Sequence, residues 1–123
     1  MDLEPTLVVM DAVEFLRTLE SGSVACVISD PAYQSLEKHR ARGTTTRLKK
    51  SASSSNAWFP IFPNDRFPEF FAEVYRVLQK NSHFYLICDQ DTMWVVREMA
   101  EAAGFHYWKF IVWHKLGRIG MGY

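Results

Sequence analysis

The chain has 123 residues with a formal net charge of zero at pH 7, and 48% of its residues are hydrophobic. This length allows one domain, and this composition excludes a disordered chain. The chain shows no secretory signal and no apolar run near the ~18 residues of a membrane span. We therefore expect a soluble, cytoplasmic protein that has no membrane partner.

The first predicted unit runs from residue 6 to residue 29. Residues 6–10 are mostly apolar and β-branched, which predicts a short strand. Asp11 can then cap a helix over residues 12–19. After the small residues 21–23, the run of small and apolar residues 24–29 predicts a strand buried on both faces. Strand, helix and strand in so short a segment imply a right-handed parallel crossover.

The end of this second strand carries a carboxylate and an aromatic ring. Pro31 has no amide hydrogen and cannot continue a central ladder, so we expect the strand to end at Asp30. Tyr33 follows shortly after. Because open α/β sheets bind ligands at the carboxyl ends of their strands, Asp30 and Tyr33 are candidate functional residues. An ordinary strand-to-loop turn is the alternative interpretation.

Residues 34–66 lack the periodicity of a helix or a strand and predict a long, mobile basic loop. Of the 14 basic residues of the chain, six lie within residues 38–50, where no acidic residue occurs. These six are Lys38, Arg40, Arg42, Arg47, Lys49 and Lys50. Because the loop leaves the strand end that carries Asp30, we predict that it contacts a nucleic-acid backbone. A solvated basic lid is the alternative.

Two helices and two strands are predicted in the second half of the chain. The apolar spacing of residues 67–79 predicts a helix, and residues 83–88 predict a buried strand that Asp89 closes. A second helix and the last strand are predicted after Asp89.

A second helix should end near residue 103, where Gly104 stops it. Either Asp91 or Thr92 is the predicted cap of this helix. Bulky apolar residues over 105–114 predict the last strand. The alternation of strands and helices places the chain in the α/β class.

The cysteines and histidines predict no metal site. Cys26 and Cys88 both fall in apolar, strand-like runs, so we expect buried thiols in a reducing compartment. The sequence has no Cys-x-x-Cys pair, and its four histidines are scattered.

The segments from Asp11 onward resemble the DNA amino-methyltransferases, which methylate adenine N6 or cytosine N4. The family's motif IV reads Asp/Asn/Ser-Pro-Pro-aromatic after an apolar strand, and Asp30-Pro31-Ala32-Tyr33 fits three of its four positions. Asp11 and the helix after it resemble motif III. The segments VYRVLQKNSHFYLICD and AGFHYWKFIVWHK resemble motifs VI to VIII. The resemblance implies a partial Rossmann-like sheet with flanking helices, of the kind found in S-adenosylmethionine-dependent methyltransferases.

The resemblance also implies a role for each matching residue. The Asp30 carboxylate and the Pro31 carbonyl would accept hydrogen bonds from the target amine, and Tyr33 would stack on a base extruded from duplex DNA. Asp11 and Asp30 would lie near S-adenosylmethionine. The six basic residues of the loop would contact DNA, and the general likeness favours adenine N6 as the target.

Two features depart from the family pattern. Ala32 replaces the second proline of motif IV, and we find neither the glycine-rich turn that holds the cofactor nor a target-recognition segment. We therefore expect residues 1–123 to be a partial catalytic domain, truncated or split, that a second chain or self-association completes. An inactive remnant that binds nucleic acid or a partner chain is the alternative.

Overall fold

The computed structural model describes residues 4–35 and 60–114. No helix in these two ranges is long and apolar enough to cross a membrane. A short 3-10 turn, Asn64–Arg66, precedes the second helix. In chain order the other elements are α1 (Ala12–Arg17), β1 (Val24–Ser29), α2 (Phe67–Val77), β2 (Leu78–Leu86) and α3 (Gln90–Ala102).

β1 and β2 form a two-stranded parallel sheet. Ser29 lies opposite Leu86, and the Ile87 amide donates to the Ser29 carbonyl at 2.8 Å, which extends the pairing past the end of β2. The carboxyl ends of both strands therefore meet at one edge of the sheet, where Asp30 follows β1 and Asp89 follows β2. Helices and a parallel sheet confirm the α/β class; a complete Rossmann-like sheet stays a prediction.

β2 is longer than the predicted strand 83–88 because it begins directly after α2, at Leu78. The pairing with β1 is irregular between Val24 and Cys26, where β2 bulges. Asn81 lies in this bulge with a φ of 61°, in the left-handed region that asparagine tolerates better than most residues. The bulge lets the chain turn out of the helix and still join the ladder.

The apolar face of α2 forms the centre of the core. Its buried residues are Phe67, Phe70, Phe71, Val74 and Val77. The Phe67 and Phe71 rings stack with their centroids 5.3 Å apart, and Phe71 meets Phe84 of β2 edge-on at 5.8 Å. The helix predicted over residues 67–79 is confirmed, although it ends at Val77 because the next residue enters β2.

The two outer predicted strands are wrong. Residues 6–10 and 105–114 form no regular structure, and the exposed fractions of Leu7 and Trp108 are 95% and 75%. A strand is stabilised by the side chains and hydrogen bonds of a neighbouring strand. In the described ranges, neither segment has such a neighbour. The parallel crossover predicted from residues 6–29 is therefore absent as well.

One face of the sheet carries no helix from the described part of the chain. Residues of all three helices join a single core, against the face that carries Val27, whereas Ile28 on the opposite face is 70% exposed. The prediction that residues 24–29 are buried on both faces is wrong. For the same reason Cys26 is exposed rather than buried, and Cys88 is only partly buried.

Asp89 caps the N-terminus of α3, and Gly104 ends the helix. Asp89 is the cap: its Oδ1 accepts from the Thr92 amide at 2.9 Å, so the predicted caps Asp91 and Thr92 are wrong. Asp89 takes this role because its backbone is still extended, as a cap requires. Gly104 ends the helix as predicted, with a φ of 110°, and a Cβ there would lie 2.9 Å from the Tyr75 ring.

We expect the core of the protein to depend strongly on Phe71. The Phe71→Ala change removes a fully buried ring and should lower the free energy of unfolding by about 3–5 kcal/mol. Trp94→Ala removes an aromatic ring that is 64% exposed and should change this energy by about 0.5 kcal/mol or less. Urea denaturation followed by circular dichroism measures both. Equal losses would contradict the packing described for α2.

Candidate active site

The turn after β1 presents Asp30 to solvent. β1 ends at Ser29, as predicted from the position of Pro31. The Asp30 side chain is exposed, and within residues 4–35 and 60–114 no hydrogen-bond donor contacts its carboxylate. The same holds for the carbonyl of Pro31. Two strong acceptors at the edge of the sheet are therefore available to a ligand that carries N–H groups.

Phe62 holds this turn in place. Its amide donates to the Ala32 carbonyl at 2.7 Å, and it forms an isolated parallel bridge with Tyr33. The Phe62 ring lies 5.0 Å from the Phe67 ring, and the Arg66 guanidinium lies 5.1 Å above it. The core therefore supports the turn directly. In the described ranges the Ala32 amide donates to no acceptor, so a proline at this position would remove no hydrogen bond.

Tyr33 lies near two carboxylates. Its side chain is partly buried, and burial raises its pKa, as do the nearby charges of Asp89, Asp30 and Cys88. Asp89 also accepts a hydrogen bond from the Ser35 hydroxyl. The site therefore combines the carboxyl ends of two adjacent strands, and at neutral pH the Tyr33 phenol is uncharged.

The six basic residues predicted to contact DNA lie outside the described residues. They are Lys38, Arg40, Arg42, Arg47, Lys49 and Lys50. The nearest anchors on either side are Ser35, which contacts Asp89, and Phe62, which contacts Ala32. Both anchors lie at the edge of the sheet that carries Asp30. DNA contact by the six residues stays a prediction.

Asp11 is already bound by groups of the protein itself. Its Oδ1 accepts from the Val13 amide at 3.0 Å, which confirms its role as the cap of α1. The Arg66 guanidinium binds both carboxylate oxygens, at 2.8 and 3.1 Å. This hydrogen bonding lowers the pKa of Asp11 to about 2 and raises that of Arg66. Cofactor contact by Asp11 stays a prediction; a ribose hydroxyl would have to share the carboxylate with Arg66.

Sequence reasoning missed four residues that shape this site: Ser35, Phe62, Arg66 and Asp89. Asp89 offered a signal, because a carboxylate directly after a second buried strand should meet the one after the first. The other three offered none. Their contacts depend on which strands pair and on where the chain returns from the loop.

Acceptor groups and an aromatic ring at the carboxyl edge of a parallel sheet are typical of the ligand sites of open α/β proteins. A family model described as DNA methylase matches residues 24–122, from the start of β1 past the last described residue. No curated protein and no solved structure matches the chain. The chain belongs to the DNA methylase family, which confirms the resemblance to the DNA amino-methyltransferases and supports DNA methyltransferase activity.

The methyl donor of this family is normally S-adenosylmethionine. At the edge of the sheet lies an open cavity of about 210 Å³, below the roughly 300–1,000 Å³ of a typical small-molecule site. Its lining residues are Gln34, Ser35, Asn64, Asp91, Thr92 and Val95. Gly22 lies beyond the opposite end of β1, where its amide donates to the Arg76 carbonyl at 2.9 Å. The described residues therefore do not fit the whole cofactor, and no group among them could hold a metal ion.

The contribution of Asp11 to stability should depend on acid pH. Its pKa is lower in the folded chain, about 2, than the roughly 3.9 of an unfolded aspartate. The stabilisation is therefore complete above about pH 4 and is lost as the pH falls toward about 2. Asp11→Asn keeps an acceptor for the cap and should be less stable than wild type at pH 7 but not near pH 2.

Urea denaturation over this pH range measures the difference. Asp11→Ala also removes the cap and should cost about 1 kcal/mol more than Asp11→Asn at every pH. Asp65→Asn is the matched control, because no ion pair involving Asp65 is found in the described ranges. A wild-type advantage over Asp11→Asn that persists unchanged at pH 2 would contradict the interpretation.

Proposed function

We propose that this chain methylates the exocyclic N6 amine of adenine in duplex DNA, with S-adenosylmethionine as the methyl donor. Family membership supports methyl transfer to DNA, and the likeness of the motifs favours adenine over cytosine. The observation that carries the proposal is the position of Asp30. It is an exposed carboxylate without a protein donor in the described ranges, at the carboxyl end of a parallel strand.

The proposed chemistry explains why two acceptors are needed. The lone pair of an exocyclic amine is delocalised into the base, which makes the nitrogen a poor nucleophile. The Asp30 carboxylate and the Pro31 carbonyl each accept one N–H, which favours a tetrahedral nitrogen with a localised lone pair. The nitrogen would gain the methyl group as a C–S bond of the donor's sulfonium breaks and a neutral thioether leaves, and it would then lose one proton to water. The protein mainly supplies alignment of the reacting atoms.

Tyr33 supplies the face on which the base stacks. A base must leave the duplex before its amine can reach this edge of the sheet. The Tyr33 ring is partly buried, and its backbone is bridged to Phe62, so the ring is held before a base arrives. The phenol is neutral at pH 7, as any tyrosine with a pKa of about 10 or higher is, so the ring does not repel the DNA.

A second candidate function is binding without catalysis. Ala32 in place of proline favours it, because the turn gains backbone freedom that the family's second proline would remove. The small cavity beside the turn also fits an incomplete catalytic site. In this case the chain would bind DNA through its basic loop without transferring a methyl group.

We expect Asp30→Ala to lower methyl transfer by a factor on the order of 100 or more, because one of two acceptors is lost. Tyr33→Ala should weaken the complex with the extruded base by about 1–3 kcal/mol. The assay follows a labelled methyl group from S-adenosylmethionine to unmethylated duplex DNA, and mass spectrometry of the digested product identifies the methylated base. Both variants should keep the circular dichroism spectrum of wild type, because neither residue is in the buried core.

The same assay separates the two candidates. N4-methylcytosine as the product would replace the adenine assignment. Ala32→Pro should raise the rate, since it stiffens the turn and removes no hydrogen bond in the described ranges. Transfer that is absent in wild type and in Ala32→Pro alike, when each chain is complemented by the C-terminal half of a relative, would leave the binding function.

The basic loop should make DNA binding depend steeply on salt. Each phosphate that the loop contacts contributes about −0.9 to the slope of log K against log salt concentration. Replacing Arg40, Arg42, Arg47 and Lys49 by alanine should flatten that slope. Lys80→Ala is the control, because Lys80 is exposed near the start of β2, far from the carboxyl edge. Fluorescence anisotropy with duplex DNA measures the slope, and an unchanged slope would show a solvated cluster only.

A further inference from the structure

We propose that Asp89 is a positioning residue of the active site, which fixes the segment around Tyr33 through the hydroxyl of Ser35. The proposal deepens the proposed function and rests on it. Nothing in motif IV itself includes Asp89 or Ser35, which are 54 residues apart in sequence and are joined by a direct hydrogen bond.

The two oxygens of Asp89 serve two different elements. Oδ1 accepts from the Thr92 amide at 2.9 Å and caps α3. Oδ2 accepts from the Ser35 hydroxyl in the segment that leaves β1. Because β1 and β2 are adjacent and parallel, one carboxylate at the end of β2 can reach both groups. Asp89 therefore ties the segment that carries Tyr33 to a helix of 13 residues.

Two hydrogen bonds bracket Tyr33 along the chain. On its N-terminal side the Ala32 carbonyl accepts from the Phe62 amide at 2.7 Å. On its C-terminal side the Ser35 hydroxyl is held by Asp89. Fixing the backbone on both sides restricts the directions in which the Tyr33 ring can point. Without the Ser35 contact, the C-terminal side would keep the side chain of Gln34, whose Oε1 accepts from the Asn64 amide at 3.1 Å.

The charge of Asp89 acts on the same ring. The groups that face Tyr33 are Asp89, Asp30 and Cys88, and the negative charges of the carboxylates oppose ionisation of the phenol. A helix cap alone would not require this charge, because asparagine caps a helix as well as aspartate does. Because the Asp89 charge is near Tyr33 under either interpretation, the two differ in what Ser35→Ala should change.

Tyr33 titration separates a positioning residue from a plain cap. The chain is labelled with ¹³C-tyrosine, and Tyr33→Phe identifies the Tyr33 signal among the five tyrosines. Asp89→Asn retains the cap and should shift the pKa of Tyr33 downward. Ser35→Ala leaves the cap untouched and should also shift it downward, because the freed segment exposes the ring. The double variant should shift it less than the sum of the two, because the Asp89 charge acts less strongly on the ring once the segment is released.

Ser23→Ala is the matched control, since the Ser23 hydroxyl donates to the Glu20 carbonyl at 2.7 Å beyond the other end of β1. It should leave the pKa of Tyr33 unchanged. In the methyl-transfer assay, Ser35→Ala should lower kcat/KM for DNA on the order of tenfold, as for a lost hydrogen bond to a charged group. Its melting temperature should match that of Ser23→Ala.

An unchanged Tyr33 pKa in Ser35→Ala would overturn the proposal and leave Asp89 as a cap, whatever shift Asp89→Asn shows. This result is distinguishable from failure of the proposed function. The titration needs neither DNA nor a methyl donor, so it still tests the Asp89–Ser35 link if wild type transfers no methyl group. A downward shift with wild-type kcat/KM in Ser35→Ala would also overturn the positioning role.

Discussion

The parallel pairing of β1 with β2 is the constraint on which the site depends. It brings together the ends of two strands that are far apart in the chain, so that Asp30 and Asp89 follow at one edge. The charges of two carboxylates from different segments then act on one aromatic ring and raise the pKa of Tyr33. Because side chains alternate between faces, a one-residue slip in this pairing would turn the core face of one strand to the opposite side of the sheet and dismantle the site and the core together.

The core reaches the site through a chain of aromatic rings. Phe71 packs between Phe67 and Phe84, and Phe67 contacts Phe62, whose amide holds the Ala32 carbonyl. The turn after β1 is therefore supported by the same residues that stabilise the fold. This coupling compensates in part for the missing second proline, since a hydrogen bond to a packed residue also restricts the turn.

Local sequence patterns were enough to predict helix caps, strand ends and amphipathic faces, because interactions between residues close in the chain determine them. The cap at Asp11, the break at Pro31 and the amphipathic face of residues 67–79 all depend on neighbours within one helical turn or one strand, and the structure confirms them. The predictions of strands at 6–10 and 105–114 were wrong, because a strand needs a neighbouring strand and the composition of a segment does not show whether it has one. The link between Ser35 and Asp89 could not be predicted, since it exists only once two distant strands have paired. The catalytic roles of Asp30, Pro31 and Tyr33 stay predictions.

Ser35 and Phe62 are both anchored at one edge of the sheet. Substrate contacts made by the segment between them could therefore evolve independently of the chemistry at the strand ends. Since both ends of the intervening segment are held by contacts outside it, insertions there need not move Asp30 or Tyr33. Doubling the length of a flexible loop costs only about 0.6 kcal/mol of closure entropy. A lineage could therefore vary the sequence and length of residues 36–61, and with them its contacts to a substrate, while the chemistry at the strand ends remained constant.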